Sequence, residues 1–247
     1  MRVGIMGAGA MATEVKKMVL EKVRGGDDIA FSGMYEPLGG GEIDAAFEEA
    51  PDVLIDFSNP ANINMLCDYA ERKRCALVIA TTGCNDDQKE RIRLASLLVP
   101  VVYSANYSLG INVVKKVVAE LSDVIGEDFD IEIVERHHRR KVDAPSGTAI
   151  LLADAINESG KYDFTYGRYG SSRRKPLEIG VHAVRGGGIV GDHSVIFAGD
   201  DEVIEVSHSA GSRKIFAAGA LRAAEFVTGV KPGLYDMEDV LWDRNVR

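Results

Sequence analysis

A short apolar run that ends in glycines and passes straight into a helix constrains this chain more than any other feature. Arg2-Val3-Gly4-Ile5-Met6 has no polar break, as in a strand buried on both faces. Gly7-Ala8-Gly9-Ala10-Met11-Ala12 follows, and from Thr13 to Arg24 the apolar residues Val15, Met18, Val19 and Val23 recur at helical spacing until Gly25-Gly26. The pattern then repeats. Strands are expected over Ile29 to Tyr35, Asp52 to Phe57, Ala76 to Ala80 and Val99 to Tyr103, with helices over Ala61 to Lys73 and Asp86 to Leu97. Strands and helices alternating at this spacing imply a parallel sheet covered on both faces.

Beyond residue 110 the rhythm changes. Helices are expected over Asn112 to Ile125 and Ser146 to Ser159, and strands over Phe129 to Glu135, Leu177 to Val184, Asp192 to Phe197 and Val203 to His208. Glycine turns between the later strands suggest an open mixed or antiparallel sheet. One last alanine-rich helix, Lys214 to Thr228, closes the pattern. The expected fold is α/β: a Rossmann-like parallel-sheet unit, then an α+β unit built on an open mixed sheet.

Charge and cysteine usage narrow the class. The 247 residues carry a net charge of −9, which argues against nucleic acid as the main partner. No apolar run approaches the ~20 residues that cross a bilayer, and Met1 leads directly into a folded pattern without a signal-peptide core. Three cysteines, Cys67, Cys75 and Cys84, lack the spacing of a zinc site and read as reduced thiols. The expectation is a cytoplasmic protein with no membrane partner.

Two groups of residues carry chemistry. Gly7 to Ala12 occupies the place of a dinucleotide-binding loop, where glycine lets backbone amides and a helix N-terminus approach a pyrophosphate. A tight turn serving packing alone is the competing reading. An acidic residue is due about 20 residues on, at the end of the second strand, to hold the adenine ribose hydroxyls. Glu36 stands there, followed by Pro37 rather than a basic residue, which favours NADH over NADPH unless Lys16 or Lys17 reaches a 2′-phosphate. Ala80-Thr81-Thr82-Gly83 and Ala105-Asn106-Tyr107-Ser108 end the fourth and fifth strands, the edge at which open α/β sheets bind ligands.

The second group is Glu135-Arg136-His137-His138-Arg139-Arg140-Lys141-Val142-Asp143-Ala144-Pro145-Ser146-Gly147-Thr148. Two of the five histidines and four of the 29 basic residues fall within six positions of an acidic chain. Such a loop suits an anionic substrate, and Ser146-Gly147-Thr148 adds the amides of a helix start. His and Lys beside those amides offer a proton donor together with a dianion receptor. A solvated basic turn is the alternative. No metal site is expected, because the adjacent histidines lack a nearby third ligand. Arg185 and Arg213 can add cationic heads, with a surface role as the plainer reading.

Taken together, these residues resemble the 4-hydroxy-tetrahydrodipicolinate (dihydrodipicolinate) reductase family. Glu135 to Thr148 looks like its signature, and Asp56-Phe57-Ser58, Ala105 to Asn112, Gly188 to His193 and the tail Gly211 to Asp236 fall in the same order. The resemblance implies an NAD(P)H-dependent oxidoreductase of diaminopimelate and lysine biosynthesis that delivers hydride to ring C4. It implies His137 and Lys141 as the catalytic proton donors, with His138, Gly147 and Thr148 binding substrate. Gly7, Ala8, Gly9, Ala10, Met11, Ala12, Glu36, Ala80, Thr81, Thr82, Ala105, Asn106, Tyr107 and Ser108 would bind the dinucleotide. It further implies a homotetramer. The cofactor domain would span 1–109, completed by 214–247, and the substrate-binding and tetramerisation domain 110–213.

Two stretches depart from the family pattern. The glycine loop is one residue shorter than G-x-x-G-R-M and lacks its arginine, and Pro37 to Pro51 has little room for a full helix. Two other readings share the N-terminal motif: a non-catalytic, redox-sensing NAD module, and a different dehydrogenase of aspartate or homoserine type. Neither accounts for His137 to Thr148.

Overall fold

The computed structural model describes residues 1–242, which divide into two compact units: Met1–Leu109 with the chain from Arg213 on, and Gly110–Ser212. The first unit begins β1 (Arg2–Met6), α1 (Ala10–Gly25), β2 (Ala30–Tyr35), β3 (Val53–Asp56), α2 (Ile63–Lys73), β4 (Ala76–Ile79), α3 (Asp86–Ser96) and β5 (Pro100–Tyr103). Then come α4 (Leu109–Ile125), β6 (Asp130–His137), α5 (Gly147–Ile156), β7 (Asp163–Tyr166), β8 (Glu178–Arg185), β9 (Asp192–Ala198) and β10 (Val203–Ser209). The described residues end in α6 (Lys214–Val227), β11 (Gly233–Tyr235) and α7 (Met237–Trp242), which belong to the first unit.

Among the described residues the first unit holds one six-stranded sheet, in the order β11-β5-β4-β3-β1-β2, and all its pairings are parallel. This is the expected Rossmann-like arrangement. Alternation along the strands sorts the core onto two faces. Val3, Ile5, Val53, Ile55 and Val78 pack with Val15 and Val19 of α1 and with the alanine-rich face of α6. Leu54, Leu77 and Ile79 pack with Ile63, Leu66 and Cys67 of α2 and Ile92 of α3. Each of these side chains is fully buried, and each such burial is worth about 1.5–3 kcal/mol. The chain between β2 and β3 forms only two one-turn 3-10 segments, Pro37–Gly39 and Ile43–Ala46, as its short length requires. All three cysteines are free and buried, and burial pushes the Cys67 and Cys75 thiols up to about 12.

The sequence pattern marks no element beyond α6, yet two follow it among the described residues. β11 is three residues long and half-exposed, too short for periodicity to register, yet it pairs with β5 as an edge strand. The Tyr235 ring meets Phe226 of α6 edge-on at 5.4 Å, which ties that strand to the core.

The second unit's sheet runs β10-β9-β6-β8-β7, with β9 antiparallel to both its neighbours and β6, β8 and β7 parallel. It is therefore mixed, as expected. β7 is another short edge strand that the sequence pattern does not mark. Ile131, Ile133, Ile179, Val181, Val195 and Phe197 turn one face toward Val118 of α4 and Leu152 and Ile156 of α5. Strand β6, at the centre of this sheet, delivers Glu135 and His137 at its C-terminal end.

Candidate active site

The C-terminal ends of the parallel strands frame a cleft, as the reversal of strand order between β1 and β3 requires. Gly7 leaves β1 with φ at +115°, a left-handed backbone that side chains resist, and a β-carbon there would lie 2.5 Å from the Phe57 carbonyl oxygen. Its amide donates to the Tyr35 carbonyl at 2.9 Å. Gly9 is the N-cap of α1 in an extended conformation with no side-chain cap, and the first turn holds no acidic residue. The leading amides of α1 are thus offered to an anion rather than to the helix's own side chains.

A cleft of about 570 Å³ is lined by Gly7, Ala8, Gly9, Glu36, Pro37, Leu38 and residues that follow β3. A second, of about 400 Å³, is lined by Gly9, Ala10, Met11, Ala80, Thr81, Thr82 and the same post-β3 segment. The expected residues of three strand ends therefore converge, with Glu36 in the first cleft and the Ala80 to Thr82 turn in the second. Phe57, Ser58 and Asn59 line both clefts but were not singled out as cofactor residues. Their signal lay in the strand end Asp56-Phe57-Ser58. Burial raises the Asp56 pKa, which bonds to Ser58 and Thr81 only partly offset, and its Oδ1 accepts from the Ser58 amide at 3.0 Å.

Neither cleft is lined by Ala12 or by residues 105–108. Ala12 is fully buried and serves the close packing of α1 on the sheet. Ala105 is exposed, and Asn106, Tyr107 and Ser108 are buried. The Tyr107 hydroxyl lies 2.9 Å from the Ile79 carbonyl and 3.1 Å from that of Val102, bridging the ends of β4 and β5. Lys16 Nζ sits over the Phe31 ring, 5.4 Å from its centroid, and Lys17 Nζ is 4.0 Å from Glu14.

In the second unit the sheet register assembles the cationic loop's roots. β6 and β8 pair His137 with Arg185, and β6 and β9 pair Glu135 with His193. Glu135 is fully buried. Its carboxylate accepts from His137 Nδ1 at 2.6 Å, from Arg185 Nη1 and Nη2 at 2.7 and 2.6 Å, and from the Ser146 amide at 2.9 Å. Burial alone would raise its pKa, but Arg185, His137 and the Ser146 amide outweigh it and hold the group below the usual carboxylate range. Arg185 is thus no surface residue: its guanidinium also donates to the Asp143 carbonyl, 2.7 Å away. Arg213, by contrast, is exposed.

Ser146 caps α5, its Oγ accepting from the Ala149 amide at 3.1 Å and lying 2.9 Å from His193 Nε2. Burial, reinforced by His137, pushes His193 down to about 4, so this ring is neutral near pH 7. Gly147 and Thr148 open the first turn of α5. Lys141 is 2.9 Å from Asp143, whose carboxyl it holds below the ordinary range. The Lys141 amide donates to the His138 carbonyl at 3.0 Å, closing the turn that carries both side chains. His138 is half-buried, with Nδ1 out of solvent. One loop therefore gathers two histidines, a lysine and a helix start.

Comparison with known proteins gives a consistent result. The family model for the N-terminus of dihydrodipicolinate reductase matches residues 1–107, and that for its C-terminus matches residues 110–241. The chain is 53% identical over 197 residues to a 4-hydroxy-tetrahydrodipicolinate reductase of Caldanaerobacter subterraneus subsp. tengcongensis, 78% of each chain. It is 43% identical to the enzyme of that name from Brachyspira hyodysenteriae, over 98% of this chain and 100% of the other. Among solved structures, dipicolinate-bound dihydrodipicolinate reductase from Paenisporosarcina sp. TG-14 shares the fold, with a TM-score of 0.76 at 22% identity. That match covers 97% of this chain and 99% of the other.

Proposed function

This chain belongs to the dihydrodipicolinate reductase family, and on that premise we propose how its residues divide the work. It is an NAD(P)H-dependent oxidoreductase that reduces 4-hydroxy-tetrahydrodipicolinate in diaminopimelate and lysine biosynthesis. The dinucleotide, when bound, supplies a hydride. The Gly7 cradle, which a β-carbon would fill, and the uncapped start of α1 fit its pyrophosphate. Glu36, which lines the larger cleft, would hold the adenine ribose, and the Thr81-Thr82 turn lines the other cleft.

The observation that carries the chemical assignment is the loop rooted on Glu135. His138 and the amides of Gly147 and Thr148 bind the substrate carboxylates, and the loop's positive charge stabilises negative charge that develops in the ring. The 4-hydroxyl first departs as water with a hydrogen of the neighbouring carbon, which leaves a conjugated ring, and ring C4 then takes up hydride. The neighbouring carbon then accepts a proton from His137 or Lys141, directly or through water. A non-catalytic NAD module would need none of this.

Generating the substrate in place with dihydrodipicolinate synthase, pyruvate and aspartate semialdehyde tests the reading. Nicotinamide oxidation should require both this protein and the synthase; none, from a folded protein that binds NADH, would count against it. NADH is the favoured donor, because Glu36 repels a 2′-phosphate while Lys16 and Lys17 are engaged with Phe31 and Glu14. Glu36→Arg should shift the kcat/KM ratio toward NADPH by about tenfold or more. An unchanged ratio would remove Glu36 from the ribose site. Gly7→Ala, read by titration with NADH, should weaken dinucleotide binding by about tenfold or more, since the Phe57 carbonyl must move. The chain is further expected to assemble as a homotetramer, which sedimentation would check.

A further inference from the structure

Among the described residues, the group most heavily invested in by the second unit is one that the reaction itself does not consume. Glu135 lies beneath His137, fully out of water, and receives four hydrogen bonds from three residues brought in by β8, by α5's N-cap and by β6 itself. An ionised carboxylate only accepts. The ring it touches must therefore present Nδ1 as a donor, which leaves Nε2 as the nitrogen that takes up a proton in neutral histidine and gives it back from the imidazolium.

Gly191 supplies a second, independent observation. It precedes β9, is buried, and lies outside the positive-φ range, so its backbone does not call for glycine. A β-carbon there would stand 2.9 Å from His137 Nε2 and 3.3 Å from Cδ2. Space over that nitrogen is what glycine provides at this position. His193 meets the same ring edge-on at 5.1 Å, and stays neutral, so it adds no charge that would compete for the Glu135 carboxylate.

We propose that Glu135, Arg185 and Gly191 are positioning residues for His137: Glu135 fixes the tautomer, Arg185 keeps that carboxylate ionised and immobile, and Gly191 leaves Nε2 uncovered. The inference rests on His137 as the proton donor. Arg185, placed by the register opposite His137, grips the carboxylate through both terminal nitrogens, so the acceptor cannot rotate away from the ring. Lys141 is tied to Asp143 and not to Glu135, so the two proton-carrying side chains are held by separate carboxylates.

The test pairs Glu135→Gln/Arg185→Met with Gly191→Ala. The double variant removes both charges together and keeps a similar volume, whereas either single change strands a buried charge. A glutamine amide donates as well as accepts, so it no longer dictates the tautomer. Expected in the double variant are unchanged NADH binding and a kcat about tenfold or more lower, with substrate KM altered by less than about threefold. Ring 15N spectra, assigned with His137→Ala and recorded at a pH where the ring is neutral, should show Nδ1–H alone in the wild type and a tautomer mixture in the double variant. Gly191→Ala should lower kcat similarly while the protein remains folded, and it serves if the double variant does not fold.

Wild-type kcat in both variants overturns the proposal. A lowered kcat with the tautomer unchanged in the double variant does so too, since that is what mere loosening of the sheet would give. Normal turnover by His137→Ala removes the premise itself, a result distinguishable from either.

Discussion

Replacing His137 with alanine will lower kcat by about 10²-fold or more while NADH binds as before, and Lys141→Ala will do the same. The reason for the split is physical. The residues lining the dinucleotide clefts belong to the first unit, whereas His137 and Lys141 sit on a strand end and loop of the second. Removing either side chain takes away a proposed proton donor without touching the Gly7 cradle. Single-turnover kinetics with prebound NADH provide the check. A normal rate from either variant would return the protonation step to solvent or to the other residue. A parallel loss of NADH affinity would mean that the substitution had disturbed more than the proton donor.

Arg185→Met is expected to destabilise the protein by about 3–5 kcal/mol, the largest stability effect foreseen here. Glu135 is fully buried, and Arg185, itself 20% exposed, is the cation that balances it. Losing the guanidinium leaves an ionised carboxylate with two remaining donors in a dry setting, at a cost well above that of an exposed ion pair. The pH dependence follows from the direction of the Glu135 shift. Its folded pKa is held below the ordinary carboxylate value, so in the wild type this group contributes stability above that value and loses it as pH falls through the folded pKa. In the variant, burial is no longer outweighed and the folded pKa rises. The penalty should then be greatest at neutral pH and shrink in acid, where the carboxyl protonates. Urea unfolding at several pH values measures this; a variant as stable as the wild type at pH 7 would show that the pair is replaceable. Methionine retains much of the arginine's apolar stem, so the change isolates the charge rather than the packing.

Both expectations depend on groups that differ in how they could be known. The chain's order was written locally. The run Arg2–Met6, glycines at 7 and 9, Glu36 at the end of the second strand, and a proline-serine-glycine-threonine start after a run of cations are each written within a short stretch of sequence. Local propensity and periodicity suffice to find them, which is why the parallel sheet, the mixed second sheet and the cationic loop were legible. The helical boundaries shifted by only a few residues, and α1 starting at Ala10 makes Gly9 its cap. Missed were β7 and β11, edge strands of four and three residues. So short a segment acquires its conformation from the strand it joins, not from its own pattern.

What the amino-acid order determined by itself, then, is the alternation of elements, the glycine turn at a helix start, and the concentration of histidines and a lysine in one loop. What tertiary structure alone decided is which distant residue completes each group. Arg185 reads as a surface arginine, 50 residues from Glu135, until the parallel register of β6 and β8 lays it beside the buried carboxylate. Phe57 to Asn59 join Gly7 only because β1 and β3 are neighbours in the sheet, and Gly191 matters only because His137 comes to rest against it. Strand pairing is a long-range event whose partners leave no periodic trace in either segment, so its consequences appear only when the sheet has formed.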